Sequence, residues 1–386
     1  MQKRKLFRIT TVPVSLDVLL KGQHRFMSKQ GFEVVGVSSS GQNLEAVEKN
    51  EGIRTVSIEM SRKITPFQDL KSLWQMWLLL RKEKPCIVHT HTPKAGLIGM
   101  LASKLAGVPI RLHTVAGLPL MEAIGGKRKV LDFVEKLIYA CATKVYPNSK
   151  GLYDFIVEQR YTSVDKMSII ANGSSNGIDT THFSPQQISE EVKKQLRKDL
   201  NIQDTDFVYI FVGRLVGDKG INELIEAFKQ IQRPNIKLLL VGAEERGLDP
   251  LKEATIQEIE NNKNIIAVGF QTDVRPYFAI ADALVFPSYR EGFPNVVMQA
   301  GAMGLPSVVS DINGCNEIIV NNKNGVIVPV KDVGSLGQVM QSIVEDNDFY
   351  LRLKENSREM VVGRYQQKVV WEALLQEYKQ LLNGIN

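Results

Sequence analysis

The sequence predicts an α/β protein built as two doubly wound parallel sheets. Three observations lead there. From residue 5 to about 170, short apolar runs alternate with longer amphipathic stretches, as strands joined by crossover helices do. A segment rich in Gly, Ser, Asn and Thr, ANGSSNGIDTTHFSPQQ from Ala171, then interrupts the alternation. From Phe207 the alternation resumes and runs to Val330. A chain of 386 residues is long enough for two domains, each with its own core.

The elements follow in order. Residues 5–10 (KLFRIT) read as the first strand, and the loop TVPVSLDVLLKGQ leads into a helix ending near Gln30-Gly31. Phe32 to Val37 and Ile53 to Ile58 are strands. Residues 67–82 form an amphipathic helix with Leu70, Leu73, Trp74, Trp77 and Leu78 on one face, and the two tryptophans are expected in the core. Cys86 to His89, Val108 to His113, Lys144 to Tyr146 and Met167 to Ile170 are strands, separated by helices at 94–106, 128–141 and 149–159. After the linker and a charged helix, strands at 207–212, 236–241, 264–268, 283–286, 306–309 and 326–330 alternate with helices at 221–231, 250–261 and 273–280. Pro294 suits the first position of a further helix, which Gly304 and Pro306 stop. Two long helical segments finish the chain. The domains implied are 1–185 and 200–365.

Apolar and charged fractions are those of an ordinary globular protein, and no apolar stretch reaches 18 residues. The N-terminus, MQKRKLFRIT, passes directly from basic to strand-like, so no signal peptide is expected. Cys86, Cys141 and Cys315 are far apart and odd in number, which points away from a disulfide framework and towards a reducing cytoplasm. Charge is uneven: residues 1–185 carry 26 Lys+Arg against 15 Asp+Glu, and the remainder 22 against 27. Basic clusters stand at Lys3-Arg4-Lys5, Arg81-Lys82 with Lys84, and Lys127-Arg128-Lys129. They suggest an anionic partner or surface. A nucleic-acid binder would interleave basic and aromatic residues on one face, a pattern that is not found, so no nucleic-acid partner is expected.

The chemistry concentrates at residues 283–317, where a strand, a loop and a helix start follow one another. The first N–H groups of a helix lack internal partners and attract anions. Gly292 lets a ligand approach that backbone. Glu291 adds a carboxylate beside it, and Gln299 follows eight residues later. A carboxylate next to an anion site fits a ligand with both phosphates and hydroxyls, such as a sugar nucleotide. His89 and His91 could in principle hold zinc, but no further Cys or His stands near them. No metal site is expected.

The run SYREGFPNVVMQAGAMGLP resembles the signature of retaining glycosyltransferases of family 4, matching at Glu291, Gly292, Phe293, Pro294, Ala300, Gly304 and Pro306. It departs at Gln299, where the family usually has a second Glu that holds the nucleotide ribose. An amide retains one acceptor and two donors for that task. GRLVGDKGINELIEAF (213–228) resembles the family's segment for the donor diphosphate, with Arg214 and Lys219 as its cations. Asn176, Gly177, Asp179, Phe183 and Pro185 match the family's interdomain segment.

The resemblance spans almost the whole chain and implies the GT-B fold, two such domains facing a cleft, with residues from about 366 crossing back to the first. It implies donor binding by Arg214, Lys219, Glu291, Gly292, Phe293, Pro294, Asn295 and Gln299. Catalytic roles fall to Glu291, His113, Arg214 and Lys219, and acceptor-side positions to Ser15, Lys21, Gly22, His91 and Lys94. The pieces TVPVSL…LLKGQ, HTHTPKAGLIG and HTVAGLP look like bacterial enzymes of capsular or O-antigen polysaccharide synthesis. The implied activity is metal-independent, cofactor-free, retaining transfer of a hexose or N-acetylhexosamine from a UDP-sugar. The implied acceptor is a saccharide on polyprenyl diphosphate, reached at the anionic inner face of the plasma membrane. A nucleotide-sugar 2-epimerase of the same fold is the alternative, separable by product analysis.

Overall fold

The computed structural model describes residues 4–231, 233–245, 247 and 249–384. Lys3 of the first basic cluster lies outside them. The chain divides into two compact units, residues 1–177 with 368–386, and residues 178–367.

The first unit runs β1 (Arg4–Ile9), α1 (Pro13–Leu19), α2 (Gln23–Lys29), β2 (Phe32–Ser38), α3 (Gln42–Glu51), β3 (Arg54–Ser57), α4 (Pro66–Glu83), β4 (Ile87–Thr90), α5 (Pro93–Ala106), β5 (Ile110–Val115), α6 (Gly125–Cys141), β6 (Lys144–Pro147) and α7 (Lys150–Glu158). All six strands are parallel, in the order β3-β2-β1-β4-β5-β6. Apart from the edge strand β3, whose residues are exposed or half-buried, the strands are largely buried on both faces, as a sheet covered by helices on both sides requires. One core packs α4, α5 and α6 on one face through Met76, Leu80, Ile98, Met100 and Ile138. The other holds Leu6, Ile87, Ile110 and Tyr146 against Leu374, Leu375 and Tyr378 of the final helix.

The second unit runs α8 (Glu190–Asp199), β7 (Phe207–Val212), α9 (Ile221–Lys229), β8 (Ile236–Val241), α10 (Glu253–Asn261), β9 (Ile265–Ala267), α11 (Arg275–Ala279), β10 (Ala283–Phe286), α12 (Asn295–Ala302), β11 (Ser307–Ser310), α13 (Cys315–Ile318), β12 (Gly325–Val328), α14 (Val333–Glu345) and α15 (Asn347–Tyr365). Its parallel order, β12-β11-β10-β7-β8-β9, repeats the first unit's topology. The last helix, α16 (Gln367–Asn383), belongs almost wholly to the first unit.

Four expectations are corrected. The loop after β1 is itself helical over Pro13–Leu19, as α1, while α2 is the helix expected to end near Gln30. Met167–Ile170 is not a strand: Met167 makes one isolated bridge to Val145 and closes a tight turn through its N–H to the Val164 carbonyl. Pro294 is the residue before α12, not its first residue, because its ψ of 112° is extended. In α4, Ser72, Met76 and Leu80 face the core, while Trp74 is 59 % exposed and Trp77 half-buried. The apolar stripe therefore lies largely on the solvent side.

Candidate functional site

In a doubly wound sheet, ligands lie beyond the carboxyl ends of strands where the order reverses. In the second unit that point falls between β7 and β10. The segment after β7 carries Arg214 and Lys219, and the segment after β10 carries Glu291. The fold brings two of these together: Lys219 Nζ lies 2.5 Å from Glu291 Oε1, with each side chain less than a fifth exposed. Ser288 Oγ donates to the same carboxylate oxygen at 3.0 Å.

Close backbone contacts force this arrangement. Gly220 has φ +71°, and a Cβ there would stand 2.1 Å from the Pro287 carbonyl oxygen. Only glycine lets the start of α9 touch the end of β10, which sets Lys219 beside Glu291. On the other side, Gly314 has φ +77°, and a Cβ would meet the Gly292 carbonyl at 2.6 Å. Asn313 Nδ2 donates to the Gly292 carbonyl at 2.6 Å and the Glu291 carbonyl at 3.2 Å. The Tyr289 N–H donates to the Asp218 carbonyl, and its hydroxyl to Glu223 at 2.6 Å. Arg290 pairs with Asp218 at 2.9 Å. The loop carrying Glu291 is thus held on both sides before any ligand arrives.

The loop leads into α12, whose start has no side-chain cap. Asn295 is exposed at its first position, and Gln299 is one turn further in and half-buried. Phe293 packs edge-on against Tyr365, with ring centroids 5.4 Å apart, so it shapes the loop. Arg214 is not drawn to Glu291. Its Nη1 pairs with Glu245 at 2.9 Å, and the pair is largely exposed. Cys315 lies buried near Glu291 and Lys219. Burial pushes its thiol well above the usual range, and the negative Glu291 pushes it further.

In the first unit the order reverses between β1 and β4. There the hydroxyls of Thr11 and Thr92 meet at 2.7 Å, and the Thr11 N–H donates to Thr92 Oγ1 at 2.9 Å. Below them lies a buried cationic cluster. Arg8 is fully buried on β1 and donates through Nε to His91 Nε2 at 3.0 Å and through Nη2 to Gln23. His91 stacks on His89, with centroids 4.1 Å apart. Burial, then the neighbouring positive groups, hold both rings neutral far below the usual imidazole range. With Asn148, Ser174 and Ser175 they line a cavity of about 20 Å³, room for a water molecule.

The other residues expected here are placed as follows. His113 is 3 % exposed, shares a 2.7 Å hydrogen bond with Thr90 and is held down to about 3 by burial. A Cβ on Gly96 would touch its ring at 2.6 Å. His113 thus stands almost wholly buried at the carboxyl end of β5, with Nδ1 engaged by Thr90. Lys94 is tied to Asp69 between α5 and α4. Ser15 is buried in α1. Gly22 accommodates Trp371, whose ring would stand 2.6 Å from a Cβ there, and its N–H donates to Glu51. Lys21 is exposed. Sequence reasoning missed Ser288, Asn313, Thr11, Thr92 and Arg8. Asn313, Thr11, Thr92 and Arg8 have partners 15 to 83 residues away, which no spacing signals; Ser288 stands only three residues before Glu291, but a serine in a loop carries no signal of its own.

Two parallel-sheet units of the same topology, one with a cation and a carboxylate at its strand switch point, define the GT-B class of glycosyltransferases. Comparison with known proteins agrees. Residues 192–360 match the family model "Glycosyl transferases group 1", and residues 24–173 match "Glycosyl transferase 4-like domain". The capsular polysaccharide biosynthesis glycosyltransferase CapM of Staphylococcus aureus is 35 % identical over 384 residues, covering 99 % of this chain and 98 % of CapM. An Escherichia coli UDP-Gal:α-D-GlcNAc-diphosphoundecaprenol α-1,3-galactosyltransferase is 28 % identical, covering 93 % of each chain. Among solved structures, a Rickettsia africae glycosyltransferase has a TM-score of 0.83 at 21 % identity, covering 99 % of both chains. The chain belongs to the family 4 (group 1) glycosyltransferases and is a glycosyltransferase with the GT-B fold.

Proposed function

We propose that this chain transfers a hexosyl or N-acetylhexosaminyl group from a UDP-linked donor to a saccharide carried on polyprenyl diphosphate, with retention, in bacterial surface-polysaccharide synthesis. The observation that carries the reading is the Lys219–Glu291 pair at the switch point of the second sheet, beside the start of α12. Relatives supply the substrate classes. The Escherichia coli enzyme is named for a UDP-galactose donor and a diphosphoundecaprenol-linked acceptor. A Campylobacter jejuni relative, 26 % identical over 340 residues, is named as an N-acetylgalactosaminyltransferase acting on a diphospho-undecaprenol-linked sugar.

In the proposed reaction the acceptor hydroxyl attacks C1 from the face that the diphosphate leaves. The bond from C1 to the diphosphate oxygen breaks, the new C1–O bond forms, and the hydroxyl proton passes to the departing phosphate oxygen. Lys219, Arg214 and the first amides of α12 stabilise the charge that develops on the diphosphate, as fixed donors do in a partly desolvated site. These cations supply the positive charge, so no metal or other cofactor is required. Glu291 orients sugar hydroxyls, Gln299 serves the ribose, and Asn295 adds a polar group at the helix start. The acceptor is reached at the inner face of the plasma membrane. The proposed association is peripheral; no helix among the described residues is long and apolar enough to cross a membrane.

A donor screen tests the reading. UDP release is measured across UDP-hexoses and UDP-N-acetylhexosamines, in EDTA, with and without a short-chain polyprenyl-diphosphate saccharide. Release that depends on acceptor is expected. Epimerised donor without acceptor would replace this reading with the epimerase.

A further inference from the structure

The outer face of α4 is built the wrong way round for a solvent-facing helix. Phe67, Leu70, Trp74 and Leu78 recur at spacings of three and four and stand exposed, while Ser72 faces the core. Phe67 is 93 % exposed. The stripe continues on the neighbouring helices, since α5 packs against both α4 and α6. Leu105 stands out at the end of α5, Ile124 (87 % exposed) just before α6, and Phe133 along it. Eight described large apolar side chains are at least 59 % exposed, and seven belong to this one layer or the loops entering it; the eighth is Phe270. An apolar concentration of this kind marks an interaction surface.

Its charge names the partner. Residues 62–136 contain 13 Lys+Arg and five Asp+Glu. Three of the carboxylates are used internally: Asp69 by Lys94, Glu83 by Lys5 and Arg54, Asp132 by Arg128 and Tyr161. Glu135 is buried and pushed up to about 7 by desolvation. The side chain of Glu122 lies outside those described. Lys71, Arg81 and Lys82 flank the α4 stripe, and Lys127 and Lys129 stand beside Ile124. None of these five has a carboxylate partner among the described residues. Exposed Trp, Phe and Leu framed by cations match the boundary between anionic headgroups and acyl chains.

We propose that the outer face of α4, α5 and α6 docks this chain on an anionic lipid bilayer, with Phe67, Trp74 and Ile124 entering the interface. This rests on the reading that the acceptor is carried by a lipid. Phe67 and Ile124 lie at the helix ends that follow β3 and β5, so the docked face reaches the carboxyl edge of the first sheet. A lipid-linked saccharide reaches that edge without leaving the membrane.

The experiment is vesicle flotation of the full chain, using phosphatidylcholine vesicles with and without one-third phosphatidylglycerol. The wild type should float only with the anionic vesicles and release in high salt. The pair Phe67→Ser with Trp74→Ser should lower partitioning at least about tenfold. The pair Lys127→Gln with Lys129→Gln should lower it about 25-fold, about fivefold per cation. Brominated lipid should quench wild-type tryptophan fluorescence, and the quenching should fall in Trp74→Ser. UDP affinity, measured by titration calorimetry, should be unchanged in every variant, which shows that each is folded. A wild type that ignores anionic vesicles, as it would if an acidic protein covered this face, overturns the proposal. So do variants that float like the wild type. Transfer to a detergent-soluble short-chain acceptor is assayed in parallel. Its loss in the wild type would defeat the functional reading, and it does not depend on vesicle binding.

Discussion

Replacing Lys219 with Met removes the cation that Glu291 contacts at 2.5 Å. Glu291 then keeps only the Ser288 hydroxyl among the side-chain partners described for it. Both side chains are more than four-fifths buried, so solvent screens the lost contact only in part. A charged hydrogen bond in such a place is worth roughly 1.5–3 kcal/mol. If Lys219 turns to the diphosphate when donor binds, UDP affinity should fall about tenfold to a hundredfold. Glu291→Gln separates the two partners. It releases Lys219 from its pair, so UDP should bind as well as in the wild type or better. Sugar transfer should still fall on the order of 10²–10³-fold, the usual cost of a lost transition-state contact. Titration calorimetry with UDP and a transfer assay, both in EDTA, read the two effects. UDP binding unchanged in Lys219→Met, or weakened equally in both variants, would refute the assignment of cation to phosphate and carboxylate to sugar.

Other outcomes follow from the same geometry. Arg214→Ala should weaken UDP binding about tenfold, while Glu245→Ala should change stability little, because the pair is exposed; calorimetry and denaturant unfolding check these. Gln299→Leu should raise the donor KM and Gln299→Glu should be tolerated, as steady-state kinetics will show. Gly220→Ala drives a methyl into the Pro287 carbonyl at positive φ, so it should cost a few kcal/mol, about the upper range for single substitutions, in urea unfolding. Four buried histidines, His24, His89, His91 and His113, are held neutral in the folded chain, two of them down to about 3. Below the ordinary imidazole pKa the unfolded chain binds more protons, so stability should fall as pH drops from about 6.5 towards 3. Glu135, pushed up to about 7, acts oppositely. Its folded form holds a proton that the unfolded form loses above about 4.5, so Glu135→Gln should raise Tm more at pH 7 than at pH 4.5.

Much of this fold was legible because each parallel strand is a short apolar run, and such runs have few alternatives when helical segments separate them. All six strands of the first sheet stand within a few residues of their expected places, and so does the whole second sheet; only the seventh strand expected at Met167–Ile170 is missing. Lys219 and Glu291 were legible because each sits in a glycine-containing run that resembles a family segment. What periodicity could not supply was which side of a helix meets the core. An apolar stripe at helical spacing reads the same facing in or out, and α4 turns Trp74 outward. Burial was equally hidden for the polar residues. Arg8 looked like one charge in a strand, yet it is fully buried against His91 and Gln23. The place of His113 at a strand end was legible, but not that α5 closes over it at Gly96. Asn313 shapes the Glu291 loop from 22 residues away, through contacts that only the folded chain makes.

The most direct test of the account is the product itself. The purified chain is incubated in EDTA with a UDP-α-sugar and a polyprenyl-diphosphate saccharide, and the lipid product is analysed by mass spectrometry and by NMR of its new anomeric centre. The account predicts an acceptor lengthened by one hexose or N-acetylhexosamine in α linkage. An unextended acceptor with every UDP-sugar, or a β linkage from the α donor, would contradict it.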